Sequence, residues 1–256
     1  MEHTVKKSVF IALAVLALTS PTLTSAAPIV FEASGATPAD IQTAVDDFRA
    51  LLGPLNPNVA GSFPSGRREI NWDGVPDAFS APNNLPANFF NANSPRGAVF
   101  FTRGSGFQVS ADADNPTNTP ILFGNIHPAF PLLFSVFSPQ RLFTALDSNV
   151  TETLFFVPGS ATGATVTGFG SVFTDVNRDD STKIEFFDAN GHLLFTRNVL
   201  AGPTTRKSLS FLGVSFDAGE RVFMVRITSG NRIPKFPSRD VVMMDDFIYA
   251  EPQALP

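Results

Sequence analysis

The chain has 256 residues, no cysteine, three histidines and a formal net charge of −5. Without Cys there are no disulfides, no thiol catalysis and no Cys-based zinc sites, and mild acidity without a basic run argues against nucleic acid and anionic membrane surfaces. Its 27 Phe stand against one Trp (Trp72) and one Tyr (Tyr249), a composition suited to a thick core and poor in sugar-stacking platforms.

The N-terminus reads as an export signal. Lys6 and Lys7 precede the apolar "VFIALAVLAL" (Val9 to Leu18), and "TSAA" (Thr24 to Ala27) supplies small residues for cleavage. The apolar stretch is too short to span a bilayer as a helix. Cleavage after Ala26 leaves about 230 residues and a net charge near −6, because loss of Glu2, Lys6 and Lys7 removes a net +1. The expectation is a secreted protein, extracellular or periplasmic, with no transmembrane segment in the mature chain. Its parts are a signal peptide (1–26), a helix plus ordered loop-rich segment packed on a sandwich (27–97), a β-sandwich (98–252) and a tail (253–256).

Thr37 to Leu52, "TPADIQTAVDDFRALL", is predicted helical. Thr37 can cap it with Pro38 at the first position and Asp40 as the capping-box acid, while Ile41, Val45, Phe48 and Leu52 form one apolar stripe. Gly53-Pro54 ends it. Residues 53 to 97 are Asn-, Pro-, Gly- and Ser-rich but too apolar for a disordered linker. From Ala98 short strands follow: 98–102, 106–110, 132–137, 152–157, 164–175, 182–188, 192–199, 208–216, 221–228 and the terminal "DVVMMDDFIYAEP" (240–252). Asn190-Gly191 predicts a two-residue I′ hairpin. The spacing predicts a mostly β protein, an antiparallel β-sandwich of jelly-roll type with one N-terminal helix.

Three constellations could carry chemistry. In "TDVNRDDST", Asp175, Asn177 and Asp179 stand at alternate positions, a spacing that can wrap oxygen ligands around Ca²⁺, although the EF-hand pattern fails at Asp180 and Phe186. The other reading is a solvated turn. In "MMDDFIY", alternation sends Asp245 to one strand face and Asp246 to the other, so at least one carboxylate meets a core, where it needs a metal or an Arg. Ca²⁺, pairing with Arg226 or Arg68, and plain solvation are the alternatives. In "RREINWD", Arg68, Glu69 and Trp72 form a candidate ligand site or a structural ion-pair cluster that anchors a loop. His127 and His192 lie in neither a G-x-S-x-G nor an HExxH pattern, so hydrolase triads and zinc chemistry find no support.

The segments "GRREINWDG", "GFGSVFTDVN", "IEFFDANG", "SFLGVSFDAGERV", "VRITSGN" and "VVMMDDFIYAEP" together resemble a family of secreted bacterial proteins of unknown activity, some with a C-terminal PEP-CTERM anchor. This sequence ends at "EPQALP" without an apolar anchor or basic tail, a departure from that pattern. The strand-borne "DDF" also resembles the terminal strand of jelly-roll modules such as the MAM domain. That resemblance implies Asp245 and Asp246 as cation ligands, with Asp73 from a neighbouring N-terminal segment. The leading expectation is a non-enzymatic, calcium-stabilised protein that binds an extracellular glycan or surface protein. The alternatives are a polysaccharide-acting hydrolase or lyase using Glu69 and Asp73, and a structural matrix protein.

Overall fold

The computed structural model describes Met1, residues 27–237 and residues 240–255; apart from Met1, the expected export signal (1–26) lies outside them. The elements run β1 (Ile29–Gly35), α1 (Pro38–Leu52), β2 (Arg67–Ile70), α2 (Phe89–Ala92), β3 (Ala98–Phe101), β4 (Gly106–Val109), β5 (Phe143–Leu146) and β6 (Val150–Phe155). They continue with β7 (Ala164–Thr165), β8 (Gly168–Thr174), β9 (Lys183–Phe187), β10 (Leu193–Asn198), β11 (Leu209–Ser215), β12 (Met224–Thr228), β13 (Met243–Ala250) and β14 (Gln253–Ala254).

Among the described residues one sheet has the order β1-β11-β8-β13-β5-β4, with β2 added beside β13, and a second has the order β10-β9-β12-β6-β3. The named strand pairs are antiparallel. In the first sheet β13 separates β5 from β8; in the second β12 separates β6 from β9. Late strands inserted between early ones in two facing sheets define the jelly roll. Phe100, Phe107, Phe143, Phe155, Phe169, Phe247 and Trp72 join the two inner faces in one core.

The helix forms as its caps predict. The Asp40 carboxylate accepts hydrogen bonds from the Thr37 N–H and hydroxyl, both at 2.8 Å, and Gly53 closes the last turn at φ 95°. Its buried stripe, Ile41, Val45, Phe48 and Leu52, lies on the outer face of the first sheet against β1 and β11. Glycines make that approach possible. Gly170 of β8 pairs with Gly213 of β11, and a Cβ added at either would stand 2.8–2.9 Å from the Phe48 ring. With the helix on one face and the second sheet on the other, every residue of β8, β11 and β13 is buried.

Several expected elements differ. Segment 27–97 contributes β1 and β2 to the first sheet as well as packing on it, and the expected tail contributes β14, paired with β7. Residues 132–137 form no strand: Pro131 lacks an N–H to donate, and Phe130 and Phe134 turn inward with Phe123, Leu142, Val241 and Met243 as a small satellite core. The segment 164–175 splits into β7 and β8. At Asn190-Gly191 only Gly191 takes a left-handed φ, 80°, and the Asp188 N–H bonds the His192 carbonyl at 3.0 Å, giving a three-residue loop instead of a I′ turn.

The glycine seam is testable. Gly213→Ala should destabilise the protein by about 1–3 kcal/mol through overpacking against Phe48. Combining it with Phe48→Leu should cost less than the sum of the two single changes in urea unfolding.

Candidate functional site

β13 does not run in straight register beside β8. Met243 pairs with Thr174 and Met244 with Phe173, but Phe247 pairs with Ser171, so Asp245 and Asp246 together oppose the single residue Val172. This is a β-bulge, an arrangement that re-aims side chains. Regular alternation would send Asp245 to the face of Phe247, which packs on Trp72, Phe143 and Phe169. The bulge brings both carboxylates to one hydroxyl instead: Ser138 Oγ stands 3.2 Å from Asp245 Oδ1 and 2.6 Å from Asp246 Oδ1. Trp72 pins the distortion by donating its indole N–H to the Asp245 carbonyl at 2.8 Å while stacking on Phe143.

Both acids are buried, Asp245 at 0% and Asp246 at 2% exposure, so solvation does not account for them. The guanidinium beside them belongs to Arg49, in the last turn of α1, and not to either arginine the sequence offered. Arg49 makes a two-pronged pair with Glu69 (3.0 and 2.9 Å) and reaches Asp246 Oδ2 at 3.3 Å. Arg67 adds a third contact to Glu69 at 2.6 Å. Arg226 instead pairs with Glu152. Arg68 is fully buried on Glu251, with both prongs at 2.6 and 2.7 Å, and also donates to the carbonyls of Pro57, Pro95 and Gly61. It ties the loop-rich segment to the end of β13.

Burial, then the Asp246 charge, pushes the Asp245 carboxyl well above the usual carboxylate range against the Phe137 N–H, which bonds Oδ2 at 2.6 Å. Burial also raises Asp246, opposed by Ser138, Asp245 and Arg49. Ser138 has one proton to give and the shorter contact is to Asp246. The remaining mutual repulsion is relieved if Asp245 is protonated and donates to its neighbour.

Asp73 is near enough for its charge to act on Asp245, but its Oδ1 already accepts the N–H groups of Gln140 (2.6 Å) and Arg141 (3.1 Å). The atoms at the pair therefore suit a proton and an arginine better than Ca²⁺. The oxygens left over are few where calcium takes six to eight, and a guanidinium stands among them. Among the described residues no group of three or more His, Asp or Glu side chains is arranged to hold a metal ion.

The turn after β8 also scatters its acids. Asp175 and Asn177 line a hollow, the Asp179 carboxylate accepts the Ala201 N–H at 2.9 Å, and Asp180 pairs with Arg178 on the surface. Burial outweighs the neighbouring Asn177 amide and pushes Asp175 up to about 7, with Asp240 adding to the rise and Arg206 opposing it.

Above Asp246 opens a cleft of about 490 Å³ where α1, β2 and the 137–139 loop meet. Glu69, Arg49, Asn71, Arg96, Ser138 and Asp246 line it; Trp72 and Asp73 do not. Arg96 is fixed by donating to the Glu69 carbonyl at 2.9 Å and by lying over the Phe90 ring. Sequence reasoning missed Arg49, Arg96, Asn71 and Ser138. Only Arg49 left a trace, as a cation bordering the apolar stripe of α1.

No family model matches the chain, and no curated protein is similar to it. Among solved structures, a fucose-binding module of Streptococcus pneumoniae, SpX-3, is similar over 45% of this chain and 73% of its own at 14% identity, with a TM-score of 0.22. At that score the similarity carries no argument about this site.

The pH response tests the paired acids. A carboxyl raised in the folded state contributes stability that is full below its unfolded value of about 3.9 and is lost as pH rises through the folded value. Wild-type stability to urea should thus fall from pH 4 towards pH 8. Asp245→Asn keeps an acceptor for the Phe137 N–H and gives Asp246 a donor, so it should remove part of that fall at little cost at pH 8. Asp246→Asn should cost about 1–3 kcal/mol at pH 8, because Ser138 and Arg49 lose their charged acceptor. EDTA should leave the melting temperature unchanged. A melt lowered by EDTA, restored by Ca²⁺ and indifferent to both in Asp245→Asn would reinstate calcium.

Proposed function

We propose that this chain is an exported, non-catalytic β-sandwich module that binds a polyhydroxylated ligand, an extracellular glycan, in the cleft above Asp246. One observation carries the reading: donors and acceptors converge there at positions fixed before any ligand arrives. Arg49 and Glu69 hold each other through two bonds, Arg96 is held by backbone and ring, and Asn71 stands exposed between them. Planar groups prealigned in this way suit neighbouring sugar hydroxyls, and their preorganisation lowers the entropy cost of binding. Recognition would proceed by hydrogen bonding, since Trp72 and Tyr249 are buried at 1% and 0% exposure and offer no stacking surface.

The same pairs speak against catalysis. A glycosidase needs two carboxyl groups facing the scissile bond, one of them free to attack or to activate water. Glu69 is clamped by two arginines and Asp246 is held by Arg49 and Ser138. Asp73, the expected partner of Glu69, spends its carboxylate on backbone N–H groups outside the cleft. If chemistry occurred here, Glu69 and Asp246 would have to carry it.

A glycan array run beside a polysaccharide-hydrolysis screen separates these outcomes. Binding without turnover is expected, and Asn71→Ala should weaken that binding several-fold with the melting temperature unchanged, as loss of one hydrogen bond at an exposed residue implies. Turnover that disappears in Glu69→Gln would overturn the non-catalytic reading. Export is checked separately: mass spectrometry of protein recovered outside the cytoplasm should find an N-terminus at or near Ala27, and an intact Met1 would refute it.

A further inference from the structure

Three of the arginines in and beside the cleft meet carboxylates: Arg49 pairs with Glu69 and Asp246, Arg67 with Glu69, and Arg68 with Glu251. Arg96 differs. Its Nε donates to the Glu69 backbone carbonyl at 2.9 Å, its Nη1 donates to the Ser94 hydroxyl, and its Cζ lies 5.2 Å from the centre of the Phe90 ring. No carboxylate among the described residues offsets its charge. The Nη2 amino group has no hydrogen-bond partner among the described residues, and it is not closed off from solvent.

These contacts hold the guanidinium in a half-buried place and fix the direction in which Nη2 can donate. Burial pushes the Arg96 pKa below its ordinary value; Tyr249 opposes the fall and the Arg68 charge adds to it. The acids of the cleft are committed elsewhere, Glu69 to Arg49 and Arg67, and Asp246 to Arg49 and Ser138. The cleft also shares Asn71 and Arg96 with a second hollow of about 350 Å³, walled by Pro76, Phe79 and Phe89. Arg96 therefore stands between two spaces, with room for a sugar on either side.

A guanidinium is best met by an oxyanion, since charge-assisted hydrogen bonds are about twice as strong as neutral ones. We propose, resting on the glycan-binding reading above, that the glycan taken by this cleft is acidic. An oxyanion on one of its sugars, a uronate carboxylate or a sulfate ester, accepts from Arg96 Nη2.

The test titrates the protein by calorimetry with oligosaccharides of galacturonan, mannuronan and hyaluronan, each beside its carboxyl-reduced neutral form, and with dextran sulfate beside dextran. At least one acidic member should bind, and its neutral counterpart should bind at least about tenfold more weakly, as loss of a charge-assisted hydrogen bond implies. The pair that shows the difference tells carboxylate from sulfate. Affinity for the acidic member should fall as salt is raised, because the ion pair is partly open to screening. Arg96→Gln should remove the preference for the acidic member, while Arg178→Gln, at an exposed pair in the turn after β8, should leave it intact. If Arg96→Gln does not fold, the comparison of acidic with neutral members on wild type still decides. Neutral members bound as tightly as acidic ones, or an acidic preference that survives Arg96→Gln, would overturn this inference and leave the glycan site standing. Binding to no member, acidic or neutral, would overturn both.

Discussion

Two adjacent carboxylates in a strand covered on both faces constrain everything around them. In regular pleating Asp245 would face the aromatic centre of the sandwich, where an ionised group costs several kcal/mol unless it is met. The extra residue in β13 removes that outcome by turning Asp245 to the side where Asp246, Ser138 and the Phe137 N–H are. Each surrounding part then has a reason. Trp72 holds the bulge carbonyl, the 137–139 loop supplies donors, and α1 is laid against the glycine seam with Arg49 above the pair.

Charge compensation and cleft formation are the same event here. Arg49 is ordered by Glu69 and in turn offsets Asp246, so the groups that make burial of the acids tolerable are the ones exposed to a ligand. Buried polar clusters of this kind add little to stability compared with a packed apolar substitute, and they fix geometry. The rest of the molecule supplies stability by ordinary means, through a large Phe-rich core built without disulfides.

The sequence made visible what local chemistry decides. The helix was legible to within a residue because its cap, its stripe and its stop are all written inside 37–54. The cost of burying "DD" was legible too. The bulge was not, since it depends on the register β13 takes against β8, set by residues some seventy positions away. Arg49 was missed for the same reason: only the docking of α1 brings it near Glu69, twenty residues on, and near Asp246, almost two hundred on. β1 showed no alternation because it is a partly exposed edge strand, and β5 is four residues long. Nor did the alternate spacing at 175–179 show that the Asp179 carboxylate accepts the Ala201 N–H while Asp175 is buried.

The placement of β13 has a consequence for how the chain comes to be folded. It is the seam between β8 on one side and β5 and β2 on the other, so without it the first sheet is three separate pieces. A chain emerging from the ribosome can form the β9–β10 hairpin early, but closure must wait for residues 243–250. Contacts that span so much sequence are slow to form. Until then the pieces that β13 joins, β1-β11-β8, β4-β5 and β2, have no strand to hold them in one sheet.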